Sequence, residues 1–244
     1  TSSGITVTGA VNGIPFYSDS ANSSMYTHDV SGTDNNAIQN TGYGFTSLDA
    51  ITTGDRNTAI GFGAGTALNS GVDNTLIGTS AGDALTSGNN NTALGYQALT
   101  TETLGDRSVA VGNFALQLQN NTSNNDIYNT AIGYSAGAAV TTGVRNTIIG
   151  GLAGDALTTG NFNTALGYQA LSSEDTGNYN TGIGYKALAL QDAGDAYNVA
   201  VGFSAGENVT TGTNNTLIGG LSGDALTTGS YNATFGVASL GSAT

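Results

Sequence analysis

The chain has 244 residues and a formal charge of −13, from 17 acidic and 4 basic side chains. That sign is repelled by phosphate backbones and anionic lipid, which argues against nucleic acid or membranes as partners. No apolar run approaches the ~18 residues of a membrane-crossing helix, and the absence of Cys removes disulfides and thiolate metal sites, in keeping with an extracellular place. Gly supplies 38 residues, about twice the usual ~7%, and charged residues only 9% against ~25%. Apolar residues still make up 38% and recur in order, unlike a disordered acidic tail.

Residues 1–39 are the least regular. GITVTG (4–9) alternates like a strand and IPFYS (14–18) continues it. A solenoid end exposes unpaired backbone, so 1–39 is predicted to be a cap or connecting segment ahead of a repeat domain at 40–244. The only His, His28, falls in this stretch and reads as a surface residue. A chain opening on Thr1 reads as a processed product or a segment of something longer.

From residue 40 onward self-similarity dominates. NTAIGF (57–62) returns as NTLIGT (74–79), NTALGY (91–96), NTAIGY (129–134), NTIIGG (146–151), NTALGY (163–168), NTGIGY (180–185) and NTLIGG (215–220). Looser copies bring the motif glycines to twelve, from Gly44 to Gly236, and nine of their eleven spacings are 17. The exceptions, 21 at NNTSNNDIY (120–128) and 18 near Asp195, are additions of the kind a surface loop tolerates. A second glycine recurs ten residues after the first, as in Gly71 and Gly88. Two glycines per 17 residues predict two corners of positive φ joined by strands of three to six residues, too short for helices. The predicted fold is all-β, a parallel β-solenoid of about twelve 17-residue coils. Twelve coils at ~4.8 Å make a rod of roughly 55–60 Å.

Three columns cross each motif. The residue before the motif glycine is always apolar (Ile60, Ile77, Leu94, Val111 and their kin), and two residues earlier stands Thr in nine coils. By the period-2 rule these columns share a face, and the apolar one assigns that face to the interior. The column between them (Ala59, Leu76, Ala93, Ala110, Ala131, Ile148, Ala165, Ala200, Leu217) then points outward while still being apolar. A strand apolar on both faces is buried on both. These residues are therefore the candidate set facing neighbouring copies, and the predicted partner is the chain itself in an oligomer.

Two exchanges run along the rod. Coils with Leu76, Ile148 or Leu217 lack the aromatic that follows the motif glycine elsewhere (Phe45, Phe62, Tyr96, Tyr134, Tyr168, Tyr185, Phe203), as though both columns filled one space. Coils with Leu99, Leu116, Leu171 or Leu188 four after the glycine carry Glu102, Gln119, Glu174 or Gln191 seven after it. The other coils reverse this with Leu68, Leu85, Val140, Leu157, Val209 or Leu226, so one apolar plug enters each coil from either of two places.

Nothing in the pattern builds a catalytic set: a lone His offers no positioned base, and no GK[ST] follows a glycine, so the chain reads as a non-enzyme needing no cofactor. Asp83, Asp155 and Asp224 recur every four coils and suit turns better than calcium, since the calcium-binding nonapeptide is absent. The most varied column lies five before the motif glycine. There Arg56 and Asp73 fall on successive coils and can pair along the rod. In the second half the column carries Tyr128, Phe162, Tyr179, Tyr197 and Tyr231, a candidate stripe for stacking on sugars or a partner surface, with ladder or interface packing as the competing role.

The unit RSVAVG (107–112), with NTAIG and NTALG, resembles the repeats in the head domains of trimeric autotransporter adhesins. That resemblance implies a left-handed parallel β-roll whose large apolar residues point inward and whose alanine side faces other subunits. GNNNTALGYQAL (88–99) and GNFNTALGYQAL (160–171) are similar to repeats of long phage tail fibres and tail-fibre-like bacterial adhesins, which implies a homotrimeric rod. The resemblance spans roughly residues 40–240. The expected function is an extracellular adhesive segment, on a virion fibre or cell surface, contacting host-surface glycan or protein. A filament subunit stacking head to tail is the alternative. Ice binding, suggested by the Thr column, ranks below both while those Thr are assigned to the interior.

Overall fold

The computed structural model describes residues 10–11, 14–15, 17–19, 24–27, 36–123 and 126–241. GITVTG (4–9) and His28 lie outside the described residues. Strand β1 (Ala10–Val11) pairs antiparallel with β2 (Ile14–Pro15), and β3 (Tyr17–Asp19) antiparallel with β4 (Ser24–Tyr26). Strand β4 then turns parallel to β5 (Thr41–Tyr43), which joins this segment to the first coil.

Each later motif contributes one strand: β6 (Thr58–Ile60), β7 (Thr75–Ile77), β8 (Thr92–Leu94), β9 (Val109–Val111), β10 (Thr130–Ile132), β11 (Thr147–Ile149), β12 (Thr164–Leu166), β13 (Thr181–Ile183), β14 (Val199–Val201), β15 (Thr216–Ile218) and β16 (Ala233–Phe235). Neighbours pair in parallel with Thr58 on Thr75, Ala59 on Leu76 and Ile60 on Ile77, so the register is the repeat itself. The chain is a β-solenoid of about twelve turns. Each turn holds one three-residue strand rather than several, and bends and turns close the rest of the coil.

The faces of that strand are the reverse of the expected ones. The middle column is buried without exception from β5 to β15, whereas Thr and the residue before the glycine are half-exposed or exposed. Ala59, Leu76, Ala93, Ala110, Ala131, Ile148, Ala165, Ala200 and Leu217 are each at most 1% exposed, so within a single chain they are core, not a surface for other copies. The physical reason is space. A coil that closes in 17 residues has a narrow interior, and opposite the strand stands a second alanine column (Ala64, Ala81, Ala98, Ala115, Ala136 and onward) in the same buried cluster. Small side chains fit across that gap; a full column of Ile and Leu does not.

The two glycine columns also differ. Gly78 has φ 135° and its missing Cβ would stand 2.3 Å from the Gly95 carbonyl oxygen, so it meets both demands on glycine. Gly71 has no positive φ; there the demand is purely the closeness of the next coil, a Cβ falling 2.3 Å from the Gly88 carbonyl. Left-handed φ falls elsewhere: on side-chain-bearing residues in the column five before the motif glycine (Arg56, Tyr179), and four after that glycine, where the residue is either a buried leucine such as Leu99 and Leu171 or a glycine such as Gly65 and Gly82.

The interior is completed by an asparagine ladder. The residue before the Thr column is Asn in all but one coil, Ser108 replacing it there. In the middle of the ladder Asn163 Nδ2 donates to the Gly177 carbonyl at 2.7 Å, its backbone N–H donates to Asn146 Oδ1 at 2.9 Å, and its own Oδ1 accepts from the Asn180 N–H at 2.9 Å. The same bonds recur at Asn57, Asn74, Asn146 and Asn215. Each buried amide thus spends its donor and acceptor on backbone groups of adjacent coils, as buried polar groups must.

Candidate functional site: the exposed faces of the coil

With Ala and Asn turned inward, the chain presents a continuous outer ladder of Thr and Ile, Leu or Val. Ile60, Leu94, Ile132 and Leu166 are each about two-fifths exposed. Immediately beyond the motif glycine stands the aromatic column, with Phe45 and Phe62 stacked at 6.2 Å, Tyr168 and Tyr185 at 5.8 Å, and Tyr185 and Phe203 at 5.1 Å. Where Asn113 interrupts it, Phe114 packs edge-on between Tyr96 and Tyr134. No residue of these three columns is charged. The aromatics do not share space with Leu76. They lie outside, while Leu76 lies inside against Gly65 and Gly82, where an added Cβ would meet its methyls at 2.7 and 2.8 Å. The true exchange is with the leucine four after the motif glycine.

A second exposed column, five before the motif glycine, borders the Thr ladder across the Asn. Arg56 pairs with Asp73 through two bonds of 2.6 and 2.9 Å, as the sequence predicts. That pairing raises the Arg56 pKa and lowers that of Asp73. Further along, Arg107 pairs with Asp126 and lies over the Tyr128 ring at 5.8 Å, and Arg145 lies over Phe162 at 5.4 Å. Phe162, Tyr179 and Tyr197 then stack at 5.3 and 4.9 Å with interplanar angles of 8° and 7°. The predicted aromatics are thus brought together as a stripe for three members. Asn214 breaks it, and Tyr231 follows one rung later, 82% exposed.

The backbone of this stripe is costly. Every member has φ between 52° and 63°, where bulky side chains are uncommon and cost ~1–2 kcal/mol. Asn and Asp, at Asn90, Asn214 and Asp73, suit that conformation better. Ring stacking returns ~0.5–1.5 kcal/mol per pair at Phe162, Tyr179 and Tyr197. For Tyr231 the described residues supply no ring partner.

The recurring aspartates hold turns only in part. Asp83 accepts from Thr100 Oγ1 at 2.6 Å, whereas Asp155 Oδ1 and Asp224 Oδ1 are buried without a partner. Desolvation raises the Asp155 pKa. Among the described residues no group of three or more His, Asp or Glu could hold a metal ion.

Sequence reasoning missed the Asn ladder, although its signal was present: Asn lies two residues before the alanine column and therefore on the same face. Compared with known protein families, curated proteins and solved structures, the chain finds no match.

Proposed function

We propose that the chain is a non-enzymatic segment of an extracellular adhesive fibre, on a phage tail or a bacterial surface, in which three copies pack through the Thr–Ile face and the adjoining aromatic column. The observation carrying this reading is that face. Twelve rungs of a three-residue strand give about 550 Å² of uncharged surface at ~4.8 Å per rung and ~3.3 Å per residue, and the aromatic column beside it adds about 190 Å² at the same spacing. Together they exceed the ~300–600 Å² of the largest apolar patch on a typical monomer and approach the ~800 Å² that a stable interface takes per partner. The resemblance of the GNNNTALGYQAL units to trimeric fibres supports the same partner number. With the net charge of −13 carried by other columns, three chains can meet there without opposing like charges.

Light scattering should give three times the chain mass of 24.2 kDa. Replacing Ile132 and Leu166 together by Lys should return a folded monomer, because both side chains lie outside the coil. A monodisperse wild-type monomer overturns the reading. Long head-to-tail fibres in electron micrographs would favour the filament alternative.

The outward Thr column supports a second reading. A regular ladder of Thr at rung spacing is a surface on which ordered water can lie, and the objection that these Thr are internal no longer holds. Against ice binding stand the Phe and Tyr rings beside the ladder and the loss of the hydroxyl at Val109, Val199 and Ala233. Thermal hysteresis abolished by Thr147→Leu and Thr164→Leu would decide for it.

A further inference from the structure

The break in the aromatic stripe is a slot. Tyr197 and Tyr231 stand two rungs apart with only Asn214 between them, and their backbones repeat one conformation, φ 52° and 62°. Their side chains therefore leave the coil in the same direction. Asn214 N–H donates to the Ala196 carbonyl and Tyr231 N–H to the Thr213 carbonyl, so the three residues sit on successive rungs and the two tyrosines leave the coil about 10 Å apart at ~4.8 Å per rung. From Phe162 to Tyr197 each ring is stacked by the next ring or by Arg145; on the side toward Asn214 neither a ring nor a cation stacks on Tyr197.

We propose that Tyr197, Asn214 and Tyr231 form a binding slot for one neutral hexopyranose ring, held between the two tyrosines. Width selects the class. At carbon contacts of about 3.5–4.0 Å, a flat ring between two faces fills only ~7–8 Å, and a puckered pyranose about 1 Å more, which a small rotation of either tyrosine closes. Polarity agrees. The exposed floor is the Asn214 amide, whose Nδ2 donates to Thr213 Oγ1 at 3.1 Å, while its Oδ1 accepts no bond among the described residues and is left for a sugar hydroxyl. Charge narrows the class further. Asp195, two residues before Tyr197, is exposed, and after Arg145 the column carries no further cation, so sialic and uronic acids are disfavoured.

This inference stands apart from the trimer: it needs only that the stripe stay outside any interface, and mass measurements do not touch it. The test is saturation-transfer NMR and titration of the intact chain with methyl glucoside, galactoside, mannoside and N-acetylglucosaminide, with methyl glucuronide and methyl sialoside as charged controls. At least one neutral glycoside should bind and the two charged monosaccharides should not. Asn214→Tyr completes the stripe with a residue the column already carries; it should keep the fold and lower affinity at least tenfold. Tyr179→Asn should open a second slot between Phe162 and Tyr197 and raise the stoichiometry. Binding of none of the glycosides at millimolar concentration, or binding unchanged by Asn214→Tyr, overturns the proposal.

Discussion

Two kinds of coil share one backbone and fill it differently. In the coils of Leu99, Leu116, Leu171 and Leu188, a leucine at left-handed φ plugs the interior. The position three residues later is left to Glu102, Gln119, Glu174 and Gln191, all fully buried. In the coils of Gly65, Gly82, Gly137, Gly154, Gly206 and Gly223 the leucine is gone. Leu68, Leu85, Val140, Leu157, Val209 and Leu226 enter from that later position, and Leu76, Ile148 and Leu217 enlarge the strand column beside the glycines. The two solutions alternate in pairs, which is why the repeat has a four-coil period on top of 17 residues. Coil shape is therefore set by what both kinds share, the Asn ladder and the close-packed glycines, and the hydrophobic filling is interchangeable provided its volume is kept.

That division orders the expected damage. Breaking what is common should hurt most. Asn163→Ala leaves the buried Gly177 carbonyl and Asn180 N–H without partners, and at ~1–3 kcal/mol for each such group the loss is about 2–6 kcal/mol. Stacked repeats are stabilised chiefly by nearest-neighbour interfaces, so urea unfolding should also lose its single transition as the two halves of the rod uncouple. Removing filling from one kind of coil comes next. Leu76→Ala should cost about 2–5 kcal/mol, and Gly82→Ala added to it should restore part of that loss, because the new methyl enters space the Leu76 methyls vacate. A double variant no better than Leu76→Ala would show that the left-handed backbone at Gly82, φ 56°, outweighs the filled space.

The same comparison explains how much could be read from the sequence. Period, coil number and parallel register were legible because Thr58, Thr75 and Thr92 repeat at 17 and stack directly. The plug exchange was legible because Leu99 and Glu102 trade places with Gly82 and Leu85. The facing of the strand was not, since period 2 defines two faces but does not say which is inside. Hydrophobicity chose Ile60 for the interior, whereas the width of the coil chose Ala59. Residue size was the better guide, because the column packed against Ala64 and Ala81 stays at Gly or Ala from β5 to β15 except at Leu76, Ile148 and Leu217, where neighbouring glycines make room. In the outer stripe Tyr128, Phe162, Tyr179, Tyr197 and Tyr231 were recognised as a set, but the slot was not, for it depends on Asn214 standing level with absent rings.

The subtlest contrast between the coil types is electrostatic. In the coils filled from the later position, that position carries no titratable group; in the other kind, Glu174 is buried, and desolvation pushes its pKa upward, opposed by hydrogen bonds from Gln191 Nε2 at 2.8 Å and the Gly177 N–H at 2.7 Å. A raised carboxyl pKa means the folded chain binds the proton more tightly than the unfolded chain. Between the ordinary value near 4.5 and the higher folded value, the native state holds more protons, so stability falls as pH rises through that window and levels off above it. Asp155, also raised by burial, acts with the same sign. Glu174→Gln keeps the hydrogen-bonding shape and cannot titrate. Urea midpoints taken from pH 4 to pH 8 should therefore show wild type losing more stability than the variant on the way up, with the residual slope of Glu174→Gln belonging to Asp155 and its like. Parallel profiles would mean that the hydrogen bonds from Gln191 and Gly177 fully offset desolvation, making the polar filling no more sensitive to pH than the leucine it replaces.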